Sequence, residues 1–141
     1  MKNSWLVMAV LLFVGFSLML EYQTIENQHA FMKEAFHRDG IALVSLFGNH
    51  GLERLYDPET TLEDLSVQER FATGLLLQRY VVAYWIRDAF TDAEWEQMVL
   101  ADGRQVMKLP LLRKRWKQVS KWYPERIRDF FEQELMNVGP F

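Results

Sequence analysis

The stretch from Trp5 to Tyr22, WLVMAVLLFVGFSLMLEY, limits the possible structures of this chain more than any other. The sixteen residues from Trp5 to Leu20 carry no charge, and only Gly15 and Ser17 interrupt the apolar run. A bilayer core of about 30 Å takes roughly 20 apolar residues at about 1.5 Å each, so Ser4 to Tyr22 reaches the short end of a spanning length. A helix apolar on every side needs lipid or a large core around it. The segment is therefore expected to be a transmembrane helix, with Trp5, Leu12, Phe13, Phe16, Leu20 and Tyr22 meeting lipid and the two terminal aromatics at the interfaces. A cleaved secretory signal would need small residues at its end, and Met19, Leu20, Glu21 and Tyr22 supply none. The expectation is an uncleaved anchor over 1–22 and one extramembrane domain over 23–141. Lys2 on one flank nearly balances Lys33 and Arg38 on the other, so the basic residues leave the orientation open.

The residues beyond the anchor are enough for one domain with a modest core and too few for two. Aromatics make up 14% of the chain and five of them are Trp, a content that favours a packed interior or broad contact surfaces over disorder. There is no cysteine, which excludes disulfides, thiolate catalysis and Cys-based zinc or iron–sulfur sites.

No turn follows the anchor. Tyr22, Ile25, His29, Met32 and Phe36 recur at three- and four-residue spacing, which predicts one helix running on to about Asp39, with Gly40 as a kink, the apolar pattern continuing through IALVSLF to Gly48, and a break at Asn49, His50 and Gly51. A loop follows through Asp57-Pro58 and Thr60-Thr61. Ser66-Val67-Gln68-Glu69 is a capping box that opens a central helix reaching about Phe90. Phe71, Leu75, Gln78, Val82 and Trp85-Ile86 form one face of it, and the runs at Leu75 and Tyr80 make it apolar on more than one. Thr91-Asp92-Ala93-Glu94 starts another helix, carrying Trp95, Met98 and Val99 inward and ending at Asp102-Gly103. Pro110 opens a further helix with an apolar stripe at Leu112, Trp116, Val119 and Trp122. Pro124 repeats the device for a last helix from Glu125 to Met136, with Ile127, Phe130, Phe131 and Leu135 inward and Gly139-Pro140 as its stop. No stretch alternates with period two. The fold class is all-α, with one N-terminal transmembrane helix continuing into a small extramembrane helical bundle.

The order of these parts is a single span running into a polar helix, LSVQERF, an aromatic helix ending RDAFTDAEWEQM, then LPLLRKRWKQ and PERIRDFFEQEL. It resembles a broad group of small bacterial membrane-anchored helical proteins of unknown function. The likeness rests on the Asp92-Ala93-Glu94-Trp95 turn, on Trp116 after basic residues and on the Phe130-Phe131 pair. It implies a single pass of the bacterial inner membrane with a cytoplasmic domain, and no catalytic residues. The chain departs from the group in carrying Glu21 and Glu26 where basic residues usually follow the span.

Candidate chemistry is sparse. Glu26 with His29 and Glu34 with His37 fit the Glu-x-x-His spacing of di-iron proteins, but both pairs fall on one predicted helix about 12 Å apart, whereas such a site takes ligands from facing helices. Solvated helix residues explain them more simply than a mononuclear site including His50. The span has no His for a haem or pigment, the serines lack a context for activation, and no Gly-rich phosphate loop exists. Neither an enzyme nor a cofactor is expected.

Charge is divided unevenly. From Leu109 onward seven basic residues face four acidic ones, while Glu21 to Lys108 holds eight basic and fifteen acidic. Arg113, Lys114, Arg115, Lys117 and Lys121 alternate with Trp116 and Trp122, a pattern that suits an anionic headgroup surface or an acidic partner, or else a solvated face whose Trp residues turn into the core. An acidic domain with so short a basic patch argues against nucleic acid. The expected partners are membrane lipid and an integral membrane protein. The expected role is a non-catalytic accessory or scaffolding subunit of a larger membrane complex, with a membrane-anchored sensor holding a small ligand between its helices as the alternative.

Overall fold

The computed structural model describes residues 3–140, with the backbone alone for 48–50 and 52. Among the described residues every regular element is helical. Helix α1 runs unbroken from Ser4 to Ser45, 42 residues, a length of about 63 Å. Its N-terminal half is long and apolar enough to cross a membrane, by length and composition, and none of that apolar window is buried.

The other helices pack against the C-terminal third of α1 and against each other. Helix α2 (Gly48–Tyr56) follows after a tight turn. A short 3-10 turn, Leu62–Asp64, leads to α3 (Val67–Trp85), which runs back along α1. A second 3-10 turn, Arg87–Ala89, leads into α4 over 92–106, which is α-helical at Asp92–Glu94 and Ala101–Val106 and π-helical at Trp95–Leu100 between them. Helix α5 is Pro110–Val119. Helix α6 covers 125–135, α-helical at Glu125–Asp129 and π-helical at Phe130–Leu135.

The helix starts follow local chemistry. The Glu69 amide donates to Ser66 Oγ at 3.1 Å and the Ser66 amide to Glu69 Oε1 at 3.2 Å. Thr91 and Glu94 repeat the reciprocal pair at 2.9 and 3.2 Å. Each box satisfies amides that have no partner inside their own helix. Glu69 has a second task, since its other oxygen accepts from Arg54 at 2.7 Å and ties α2 to the start of α3. Pro110 occupies the first turn of α5, where a missing N–H costs nothing.

The core lies between α3, α4, α5 and α6. Leu77, Tyr80, Val99, Met107, Leu111, Leu112, Ile127, Phe131 and Leu135 are fully buried, each contributing on the order of 2 kcal/mol if large and apolar. The Trp116 ring stacks on Phe131 with centroids 4.0 Å apart.

One polar cluster fastens α1 to this core. Arg79, nearly buried, reaches across from α3 and donates through Nε to the Phe36 carbonyl of α1 at 2.6 Å. Its guanidinium lies 3.9 Å from the Phe36 ring centroid and pairs with Asp102 of α4 at 3.3 Å. Asp102 also accepts from the Tyr80 hydroxyl at 2.6 Å, and burial together with that carboxylate pushes the Tyr80 hydroxyl pKa well up. Lower on α1, Lys33 donates to Glu94 at 2.8 Å, and this bond with the Thr91 amide holds the Glu94 carboxyl down to about 2.

The structure corrects several boundaries. Helix α1 continues past Asp39 to Ser45, along the apolar pattern that extends beyond Gly40, and Gly40 lies inside it. A Cβ at Gly40 would lie 2.4 Å from Arg79 Cζ, so the glycine makes room for the guanidinium. Residues 49–51 lie inside α2 and do not form a break. Helix α3 ends at Trp85, short of Phe90, because Ile86 leaves helical geometry at φ −103°, ψ 26°. Helix α4 passes through Asp102-Gly103 to Val106, and a Cβ at Gly103 would lie 2.7 Å from Leu135 Cδ2, so this glycine serves close helix contact too. Pro124 caps α6 from outside, one position before its first turn. Trp122 falls after α5, in a 3-10 turn, and is 73% exposed, so it leaves the inward stripe that Leu112, Trp116 and Val119 do form.

Two outcomes follow for the full chain in detergent. Replacing Arg79→Ala costs about 2 kcal/mol, since it leaves the Phe36 carbonyl without its side-chain donor and a void where the nearly buried guanidinium packed, while Asp102 is exposed enough to be solvated. Gly40→Ala alone costs on the order of 1–3 kcal/mol by overpacking, yet in the Arg79→Ala chain it becomes neutral or stabilising by up to about 1 kcal/mol, the helix preference for Ala over Gly. Denaturant midpoints of the four chains measure the reversal. The Glu94 carboxyl is depressed, so its bond to Lys33 stabilises fully above about pH 4.5 and is lost as pH falls toward about 2. Glu94→Gln should lower the melting temperature at neutral pH and flatten its decline across that window.

Candidate functional site

Helix α3 has two apolar faces, and only one is used inside the domain. Ala72, Leu76, Leu77, Tyr80, Val81 and Ala83 are buried. The opposite stripe is open: Phe71 is 65%, Val82 47% and Trp85 55% exposed. The face that the spacing of Phe71, Leu75, Gln78, Val82 and Trp85 picks out is therefore the outer one.

Beside this stripe lies α1, and the two helices enclose an apolar groove of about 450 Å³. Phe31, Met32, Ala35, Ala42 and Leu43 form the α1 wall, and Leu75, Val82 and Ile86 the α3 wall. Phe36 and Arg79 lie at its floor, where the cluster that joins the helices sets their separation. Two alanines on α1 leave the hollow that larger side chains would fill. Two polar groups of the groove are already engaged: Arg79 bonds Phe36 and Asp102, and Gln78 accepts from the Tyr123 hydroxyl at 2.7 Å, while Asp39 is exposed at 3.8 Å from Arg38. Beyond Asp39, what remains open is hydrocarbon, suited to holding an apolar surface rather than to proton or group transfer.

The groove does not stop at Phe31. Shallower hollows continue down the same side of α1, the first sharing Phe31 and Met32 with it and reaching Thr24, the next sharing Thr24 and Gln28 and reaching Leu20. These shallow hollows lie between side chains of α1 alone and lead from Leu20 towards the groove.

The expected anchor residues Trp5, Leu12, Phe13, Phe16, Leu20 and Tyr22 are all on α1 and all exposed. The basic, Trp-rich cluster near the C-terminus is not brought together as one surface. Arg113 donates to the carbonyls of Met107, at 2.5 Å, and Val138. Lys114 donates to those of Pro58 and Thr60, both at 2.6 Å. Arg115 is half-buried, with Nη1 3.3 Å from Gln118, and Trp116 is 3% exposed in the core. Only Lys117, Lys121 and Trp122 are left facing outward, the Lys121 ammonium 5.2 Å from the Trp122 ring centroid. Trp116 therefore cannot be a partner contact, and Arg113 and Lys114 serve mainly to close loops.

No group of three or more His, Asp and Glu side chains that could hold a metal occurs among the described residues. The side chain of His50 lies outside them. The groove and its floor were the parts that spacing missed. Alanine carries little hydropathy signal, so Ala35 and Ala42 do not stand out. A readable sign was Arg79 itself, a lone charge inside the apolar run from Leu75 to Ile86. Comparison of the chain with known protein families, with characterised proteins and with solved structures returns no match.

The two faces of α3 predict opposite responses to substitution. Val82→Ser on the groove side should change unfolding free energy by no more than about 0.5 kcal/mol, whereas Leu77→Ala on the buried side should cost about 3 kcal/mol. Chemical denaturation of the full chain in detergent compares them directly.

Proposed function

We propose that the chain is a non-catalytic accessory or scaffolding subunit of a membrane complex, held in the bacterial inner membrane by one pass of α1 over Ser4 to Tyr22. The observation that carries this reading is the continuity of α1. One helix without interruption is both the apolar segment and a wall of the domain, and Arg79, Lys33 and the Phe36 ring sew the domain onto it. A catalytic domain on a tether needs no such rigid link, while a subunit that positions a surface at fixed height and orientation does. The apolar groove and the aromatics beside it then act as the docking surface, since a contiguous exposed apolar patch of several hundred Å² marks an interaction site. Lipid surrounds the span, and the partner is an integral membrane protein.

A second reading, a sensor that binds a small apolar ligand between its helices, is favoured by one observation: the groove volume of about 450 Å³ lies in the range of ligand sites. The resemblance to membrane-anchored helical proteins leans towards a cytoplasmic domain, although the basic residues flanking the span leave its side open.

Three measurements test these statements. The chain should remain in the membrane pellet through alkaline carbonate washing. A reporter active only in the cytoplasm, fused after Phe141, should be active. Gentle solubilisation of native membranes should return the chain in stoichiometric association with another integral membrane protein. Recovery free of other proteins, with a melting temperature that rises on adding a small apolar compound, would replace the scaffolding reading with the sensor.

A further inference from the structure

We infer that the groove is filled by helix α1 of a second copy of this chain, in a parallel two-fold dimer. The inference rests on the reading that Ser4 to Tyr22 spans a membrane, and it gives the groove to a second copy, so that any other integral membrane protein of the complex docks elsewhere on the chain.

The area of the open face sets the first condition. Phe31, Phe71 and Trp85, each more than half exposed, and Val82, 47% exposed, together offer on the order of 400 Å² if an aromatic side chain carries about 200 Å². A stable association buries about 800 Å² on each partner. The domain face alone therefore falls short, and the remainder has to come from the side of α1 where the shallow hollows lead down to Leu20. Only an occupant that runs beside α1, out of the membrane and up into the groove, can cover both parts. A small ligand or a soluble domain cannot.

The periodicity of α1 meets the second condition. At about 100° per residue, Val10, Ser17, Thr24, Gln28, Ala35 and Ala42 fall within about 20° of one line along the helix. The line begins in the apolar segment and enters the groove at Ala35. Four of the six are small or carry a hydroxyl, so another helix backbone can approach closely there.

Charge selects the second copy over a foreign helix. Arg38 and Asp39 flank the line on opposite sides, both about 60% exposed and only 3.8 Å from each other. A two-fold axis parallel to the line exchanges the flanks, so each Arg38 meets the other copy's Asp39, and both pairs form at once. The parallel orientation also places the two apolar segments side by side in the same bilayer.

The chain has no cysteine, so disulfide trapping in native membranes reads the geometry directly. Single substitutions Ser17→Cys, Thr24→Cys, Ala35→Cys and Ala42→Cys should each give a disulfide-linked dimer on mild oxidation. Gly15→Cys, Ala30→Cys and His37→Cys, which point about 140° or more from the line, should give several-fold less. In the Ala35→Cys chain, Arg38→Glu should reduce the cross-link several-fold, and Arg38→Glu combined with Asp39→Arg should restore it. Val82→Asp, on the exposed α3 wall, should reduce it as well without unfolding the domain.

Cross-linking no greater at the line than at the controls, in a chain that resists carbonate extraction, overturns the dimer and leaves the membrane reading intact. Adducts at line positions with another protein in place of the homodimer overturn it in favour of a foreign helix. Loss of the chain from carbonate-washed membranes overturns both. Failure of the charge swap to rescue the cross-link rejects the two-fold arrangement.

Discussion

The placement of the Arg79 guanidinium between α1 and α3 is the interaction on which the rest of the structure depends. A charge this far from water is tolerated only with partners on every side, and it has them in the Phe36 carbonyl, the Phe36 ring and the Asp102 carboxylate. Those partners come from α1 and α4, so satisfying one side chain fixes how three helices meet. Gly40 is the other half of the arrangement, because any larger residue would occupy the space of the guanidinium. Tyr80 follows from it, its hydroxyl donating to the same Asp102 oxygen and its ring meeting Phe36 and Phe131. The core on the far side of α3 is continuous with this cluster through that ring.

The cluster also explains why there is a groove. Arg79 lies low between the two helices and holds them in register without filling the space above, where the side chains are Ala35 and Ala42 on one wall and Leu75 and Val82 on the other. The domain thus spends its bulky aromatics inward, at Trp116, Phe130 and Phe131, and leaves a hydrocarbon surface beside the helix that carries the apolar segment. In a scaffolding subunit that arrangement gives a docking face whose height above the bilayer is set by helix length. Flexible tethers would leave both height and orientation undefined.

Much of the fold was legible in the residue order, and the legible parts share a cause. The boxes at Ser66-Glu69 and Thr91-Glu94, the start at Pro110 and the inward set Ile127, Phe130, Phe131 and Leu135 all rest on contacts within one or two helical turns. The misread parts depend on residues far apart in sequence. Gly40 and Gly103 look like interruptions until Arg79 and Leu135 are beside them. The basic cluster at Arg113 to Lys117 looks like a surface until the carbonyls of Pro58, Thr60, Met107 and Val138 accept from it. The stripe on α3 was visible, but spacing alone does not say which of two apolar faces turns inward.

By itself the sequence determined that the regular elements of the described residues are all helical, that the chain carries one segment apolar enough to cross a membrane, and where most of its helices begin. These follow from short-range hydrogen bonding and from hydropathy summed over a single helix. Only the tertiary structure decided what the glycine at position 40 makes room for, which face of α3 is buried, which cations are spent on loops, and that a groove lies between α1 and α3. Each of those depends on two segments meeting across a long stretch of chain, where shape and partner satisfaction outweigh local preference.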